Sequence, residues 1–249
     1  KRDRILLISG PNAGGKSVCL KTIAIVQYMT QCGVMPTVHD NSHLSIFNNL
    51  MIDIGDQQSI EDDLSTYSSH LFNMKTFINR ADQRTLVLID EFGGGTEPQI
   101  GGALAQGVLE QLNKRTCFGV ITTHYQNLKT YADQTPGIIN GAMLYDRQQM
   151  KPLFQLSVGY PGSSFAIEIA RKIGLPEEVI SYAESIVGSD YVNMDKYLLD
   201  IARDKKYWEN KRREIHQKEK TLDAMAVQYN EQIDNINREQ KEIIRSAKH

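Results

Sequence analysis

The chain has 249 residues, with 28 Lys+Arg against 30 Asp+Glu for a formal charge of −2, and is 41% hydrophobic. That is enough to bury one full domain plus an appendage, and no apolar run approaches the ~18 residues needed to span a bilayer; with the charged tip of KRDRILLISG running at once into a strand-like segment, transmembrane and signal-peptide readings are poor. The near-zero charge excludes a global pull toward nucleic acid, and the odd set Cys19, Cys32 and Cys117 excludes a disulfide framework or a C-x-x-C metal site, so that a reducing, cytoplasmic setting is expected. The chain starts at Lys1 without a methionine, one short step ahead of a strand, and a piece of something longer is expected.

In chain order, the short apolar runs Ile5–Ile8, Leu86–Ile89 and Phe118–Ile121 alternate with helix-like stretches at 16–31 and 100–114. Unbroken apolar runs suit strands buried on both faces, so the pattern predicts an α/β core whose mostly parallel sheet is covered by helices. From about Gly137 the pattern changes to two strand candidates, Ala142–Asp146 and Pro152–Leu156, around the polar Arg147-Gln148-Gln149, which reads as an antiparallel hairpin. A helix pair follows: Ser163-Ser164 is placed to cap a helix running to about Ile173, Gly174 stops it, and Pro176 opens a second helix running to about Val187.

Residues 190–249 hold 25 charged residues in 60 and no proline. One apolar stripe recurs every seven residues through Val187, Met194, Ile201, Trp208, Ile215, Leu222, Tyr229, Ile236 and Ile243, which points to a long charged helix in a coiled coil of roughly 90 Å. Its companion row is mostly polar until Ala226 and Ile233. A solvated single helix is the alternative.

The strongest chemical signal is Gly10-Pro11-Asn12-Ala13-Gly14-Gly15-Lys16-Ser17. It fits the phosphate-binding loop G-x-x-x-x-G-K-[ST], with a strand before it and an apolar helix after it. Glycines let backbone N–H groups and the helix N-terminus point at phosphate oxygens, Lys16 neutralises the β/γ charge, and the Ser17 hydroxyl is a Mg²⁺ ligand. At the end of the second run, Asp90 is placed to hold the Mg²⁺ water shell and Glu91 to orient the attacking water. Thr122-Thr123-His124 puts an imidazole at a third strand's carboxyl end, the edge where open α/β sheets bind ligands, so His124 joins Lys16 and Glu91 as a catalytic candidate, sensing the γ-phosphate. His39 and His43 sit in a loop-like stretch with no third ligand nearby. The segment Leu64-Ser65-Thr66-Tyr67-Ser68-Ser69-His70 reads as a helix start that Ser65 can cap.

These motifs together, with Asp90-Glu91-Phe92-Gly93-Gly94-Gly95-Thr96 and Thr122-Thr123-His124-Tyr125, resemble the ATPase domain of the MutS family over about residues 1–187. The details are most similar to the bacterial branch called MutS-two, which carries an Smr nuclease domain elsewhere in its chain. The resemblance implies a P-loop ABC-type ATPase that binds ATP and Mg²⁺ and works as a homodimer. Residues 1–160 would form the ATPase core, 161–188 a dimer-supporting helix-turn-helix and 189–249 the long helical linker. It further implies that Ser65 and Thr66 reach the γ-phosphate of the nucleotide on the opposite subunit, that Gly93–Thr96 crosses the dimer interface, and that Gln57 or Gln58 senses metal and water. Tyr67 stands where the mismatch-repair relatives usually have Phe.

DNA recombination or repair, ribosome-linked quality control and nuclease action are what the resemblance implies for a whole protein, with no membrane involved. The alternatives are an ATPase head of the chromosome-condensation or recombination-repair type and a transporter's nucleotide-binding subunit. Leu64-Ser65-Thr66-Tyr67 departs from the transporter signature Leu-Ser-Gly-Gly-Gln, and a coil that follows both halves of the head departs from the condensation type. A non-enzymatic nucleotide binder would have no need of Glu91.

Overall fold

The unbroken apolar runs become the central strands of one six-stranded sheet. The computed structural model describes residues 3–55, 63–146, 151–163, 165–187 and, further on, 207–208, 211–230, 232–233, 236 and 240. The chain divides into two units, Lys1–Leu198 and Leu199–His249. In the first, the strands are β1 (Ile5–Ser9), β2 (Asn49–Asp53), β3 (Thr85–Ile89), β4 (Phe118–Thr122), β5 (Ile138–Asp146) and β6 (Lys151–Val158). The helices are α1 (Lys16–Gln31), α2 (Asp63–Arg80), α3 (Pro98–Lys114), α4 (Gln126–Gln134), α5 (Ala166–Lys172) and α6 (Glu177–Val187). The sheet order is β2-β3-β4-β1-β5-β6, and every pairing is parallel except β5 with β6.

All five residues of β3 are buried, and their alternation divides the core. Leu86 and Leu88 face one way, onto Leu20 and Ala24 of α1. Val87 and Ile89 face the other way, into a cluster with Met74 and Phe77 of α2, Leu109 and Leu112 of α3 and Leu128 of α4. Each of these aliphatic side chains contributes about 1.5–3 kcal/mol by leaving water. The expected helix-covered parallel sheet is therefore present.

Helix α3 starts two residues before its apolar pattern because Glu97 caps it, accepting from the N–H groups of Gln99 (3.1 Å) and Ile100 (2.9 Å), with Pro98 in the first turn. The expected hairpin is β5 with β6. β5 is longer than expected because its first half, Ile138–Ala142, pairs in parallel with β1 before the second half turns to β6. The three cysteines are free thiols.

Two local expectations need correction, and one strand was not anticipated. The edge strand β2 carries polar ends and exposes Ile52, and its apolar run is only the three residues Leu50–Ile52. Ser65 is the third residue of α2, so the helix begins two residues ahead of the expected start. The α5 cap position is Phe165, not Ser163-Ser164. Phe165 takes a left-handed φ of 56°, its N–H donates to Ser163 Oγ (3.1 Å), and its ring stacks on Tyr145 with centroids 5.5 Å apart. The stop at Gly174 stands, with φ 87° and its N–H donating to Arg171 O.

In the second unit residues 211–230 are helical, and Ile215, Leu222 and Tyr229 are exposed on it at a seven-residue spacing. The rest of the expected long helix lies largely outside the described residues. Among the described residues no helix is long and apolar enough to cross a membrane.

Candidate nucleotide site

The loop after β1 is shaped by three glycine-dependent steps and a buttress. Gly10 has φ 143°, residues Asn12–Gly14 form a single 3-10 turn, and Gly15 takes φ 87° immediately before α1 begins at Lys16. The hairpin closes against it from outside. A Cβ on Gly10 or Gly14 would stand 3.2 or 3.3 Å from Met143 Cβ, and one on Gly15 would stand 2.8 Å from Phe154 Cδ1. From below, Ser9 Oγ accepts the N–H of Gly162 (2.7 Å). The loop is thus held open by packing, with the first N–H groups of α1 lacking intrahelical acceptors.

Lys16 is buried, and its Nζ donates to the carbonyls of Gly10 (2.9 Å) and Pro11 (3.0 Å). Desolvation lowers its pKa to about 8, against the opposing charges of Glu91 and Asp90, while Lys129 lowers it further. Lys16, Asp90 and Glu91 thus share one electrostatic neighbourhood. Ser17 follows in the first turn of α1, half-buried.

Asp90 and Glu91 leave the carboxyl end of β3. The Asp90 N–H donates to Asp53 O (2.9 Å), and Glu91 adopts φ 47°. Glu91 N–H donates to Thr122 Oγ1 (2.8 Å), whose hydroxyl donates in turn to Asp90 Oδ1 (2.5 Å). A cavity of about 30 Å³ lined by Glu91, Gly94, Asp53, Tyr67 and His70 has room for about two waters beside the carboxylate.

His124 sits on the exposed turn between β4 and α4. Desolvation, Lys16 and Lys129 push its pKa below the usual imidazole value, opposed by Asp90. It also lines a cleft of about 620 Å³ with Pro11 and Ala13 of the loop, Ile169 of α5 and Ile173 just after it.

Helix α2 is tied to the same sheet edge by a pair that sequence reasoning missed. His70 Nδ1 lies 2.7 Å from Asp53 Oδ2, and Asn73 Nδ2 donates to Asp53 Oδ1 (3.0 Å). The hydrogen bond to Asp53 raises the His70 pKa, against some desolvation. Ser65 and Thr66 lie in the first turn of this helix, but their side chains, like that of Asn12 and all of Gln57 and Gln58, fall outside the described residues. Tyr67 packs near Gly95, where a Cβ would be 3.7 Å from its own. Phe154 was also missed: it is 67% exposed, has φ 50° and lies against Gly15, and no periodicity marks it. His39 and His43 lie on the exposed loop between α1 and β2.

Residues 6–189 match the family model described as MutS domain V. Among similar proteins, the Endonuclease MutS2 of Thermomicrobium roseum is 44% identical over 203 residues, 82% of this chain and 26% of that protein. The Endonuclease MutS2 of Halothermothrix orenii is 36% identical and that of Levilactobacillus brevis 35%, each over 98% of this chain and 31% of the relative. The chain thus spans about a quarter to a third of the length of these relatives. A family match over residues 6–189, a span that holds the loop, carboxylates and imidazole described above, places this chain in the MutS family, with relatives among its MutS2 proteins.

Proposed function

We propose that this chain is the ATP-binding and ATP-hydrolysing dimerisation domain of a MutS-like protein that acts on nucleic acid. The observation that carries the reading is the buried Lys16 ammonium, set inside a glycine-shaped loop within the field of Asp90 and Glu91. A phosphate chain entering this P-loop meets the α1 N-terminus and gives Lys16 anionic oxygens in place of two neutral carbonyls.

The Ser17 hydroxyl and Asp90 carboxylate are hard oxygen donors of the kind Mg²⁺ prefers, and so small a set suits an ion that arrives with the phosphates. Among the described residues no group of three or more His, Cys, Asp or Glu could hold a metal unaided. Mg²⁺ held there would draw charge from the phosphates during cleavage. Glu91 orients the attacking water and accepts its proton. His124, kept neutral by desolvation and by Lys16 and Lys129, is able to donate to a γ-phosphate oxygen from one ring nitrogen. The exposed face of Phe154 beside Gly15 offers a surface on which the base can stack.

Two copies complete each site in this reading. Ser65 and Thr66 contact the partner's γ-phosphate from the first turn of α2, the Gly93–Thr96 loop crosses between subunits, and the α5–α6 helix pair, with Ile173, Tyr182 and Ile186 exposed, supports the dimer. Hydrolysis removes contacts to both subunits, which shifts the population away from the closed dimer. Nucleic-acid binding and nuclease action belong to the remaining length of the MutS2-like protein, reached through the charged helix, in the cytoplasm. Nucleotide binding and phosphate release by Lys16→Ala and Glu91→Gln test the reading. Lys16→Ala loses binding, and Glu91→Gln retains binding while turnover falls about 10²–10⁴-fold. Unchanged affinity in the first, or unchanged turnover in the second, overturns it.

A further inference from the structure

The geometry points to Thr122 as a positioning residue of the hydrolytic site, one hydroxyl setting both the backbone of Glu91 and the carboxylate of Asp90. The inference rests on the roles proposed above for those two residues.

The parallel register pairs Ile89 with Ile121, so that Thr122 ends β4 directly beside the point where Asp90 leaves β3. Thr122 is 0% exposed. A threonine hydroxyl has one proton and two lone pairs, and when buried these must be used. Its bonds have only one consistent direction: a backbone N–H can only donate, so Thr122 Oγ1 accepts from Glu91 and its own proton goes to Asp90 Oδ1. The relay runs from the Glu91 amide through the hydroxyl to the carboxylate. Each member fixes the next.

Both ends of that relay need fixing. Glu91 occupies the left-handed region at φ 47°, where a non-glycine residue is uncommon, and the direction of its side chain depends on that turn of the backbone. The turn is clamped by the amide bond to Thr122 Oγ1 on one side and by the Phe92 N–H donating to Thr122 O (2.9 Å) on the other. The Asp90 backbone is held by Asp53 O, but the plane of its carboxylate is fixed by the bond Thr122 makes to Oδ1. Rotation of Thr122 would therefore disturb the metal carboxylate and the water-orienting residue together. A hydroxyl that only satisfied the end of β4 would contribute to stability and nothing else.

Thr122→Val keeps the branched shape and removes the hydroxyl, and Thr122→Ser keeps the hydroxyl. Thr122→Ala stands in for the valine variant should that one not fold, and Val120→Ala on the same strand controls for lost packing. Two readouts are needed: Mn²⁺ affinity by electron paramagnetic resonance with a non-hydrolysable ATP analogue, and the split between kcat and KM. Loss of a hydrogen-bond partner behind a metal ligand typically weakens metal binding or activity about 10–100-fold, which is the loss expected in both Mn²⁺ affinity and kcat for Thr122→Val, with KM for ATP within about threefold. Thr122→Ser and Val120→Ala stay within about threefold of the parent on both measures. A parent that binds Mn²⁺ and hydrolyses ATP while Thr122→Val matches it overturns the positioning role alone. Equal losses in Val120→Ala and Thr122→Val also overturn it, reducing Thr122 to packing. A parent that binds no Mn²⁺–nucleotide overturns the functional reading and this role with it.

Discussion

Gly162→Ala is the substitution whose effect the structure constrains most tightly. A Cβ there would stand 2.5 Å from Ser9 O, 2.7 Å from Ser9 C and 2.9 Å from Gly10 N, all of them backbone atoms at the root of the loop that leads into α1. None can swing aside, so the segment carrying residue 162 must move away. The movement breaks the bond from Gly162 N–H to Ser9 Oγ and pulls Gly162 O from Lys129 Nζ, now 2.9 Å away and buried. A neutral buried hydrogen bond contributes about 1 kcal/mol and one from a charged donor about 1.5–3 kcal/mol, giving a loss of roughly 2.5–4 kcal/mol. For a unit of this size that lowers the melting temperature by on the order of 10 °C. Gly107→Ala is the matched control: it lies inside α3 with nothing within 4 Å of the new carbon, and the helix gains about 0.5–1 kcal/mol. Thermal unfolding followed by circular dichroism reads both. A Gly162→Ala melting point within about 2 °C of the parent would show that the loop at 162 is not wedged against the Ser9–Gly10 backbone, and the reasoning would fail.

Nucleotide affinity should fall as pH rises through the Lys16 value of about 8, because phosphate needs the ammonium, and Lys16→Arg should flatten that dependence if it still binds; titration calorimetry with affinity constant from neutral pH to well above 8 would contradict it. The His70–Asp53 pair has a raised histidine pKa, so its stabilisation is fully present below the ordinary 6.5 and is lost as pH rises through the folded value. Urea unfolding of parent and His70→Ala should accordingly converge toward alkaline pH, and a gap that widens would refute the sign. Phe154→Ala should weaken nucleotide binding by the ~1–3 kcal/mol of a base–aromatic stack while Phe154→Tyr retains it, as read by fluorescence of a labelled nucleotide.

What the sequence made legible follows from where each element's physics is local. The run at β3 is buried on both faces, and those at β1 and β4 are buried on one face and at least half-buried on the other, so hydrophobicity alone marks them. The Gly10–Ser17 loop is legible because its glycines, lysine and serine fall at fixed spacing in one turn. β2 is an edge strand whose burial is one-sided, and its Asp53 gains meaning only from partners on α2 and β3. His70 was visible within the Ser65–His70 segment, yet its partner was not, because the strand that carries it went unread. Thr122 and Phe154 are products of register and of the hairpin's fold onto the loop, neither of which has a local signature. The α5 cap differs from expectation because Phe165 stacks on Tyr145, a contact across 20 residues that no capping rule anticipates.

The central claim, a hydrolytic site completed by a second copy, is tested most directly by ATPase rate per chain as a function of chain concentration, with Glu91→Gln as the blank. The account predicts a specific activity that climbs with concentration and levels off as dimers form, with sedimentation of the same samples showing the transition over the same range. A Glu91-dependent rate that stays flat while sedimentation shows monomers throughout would contradict it.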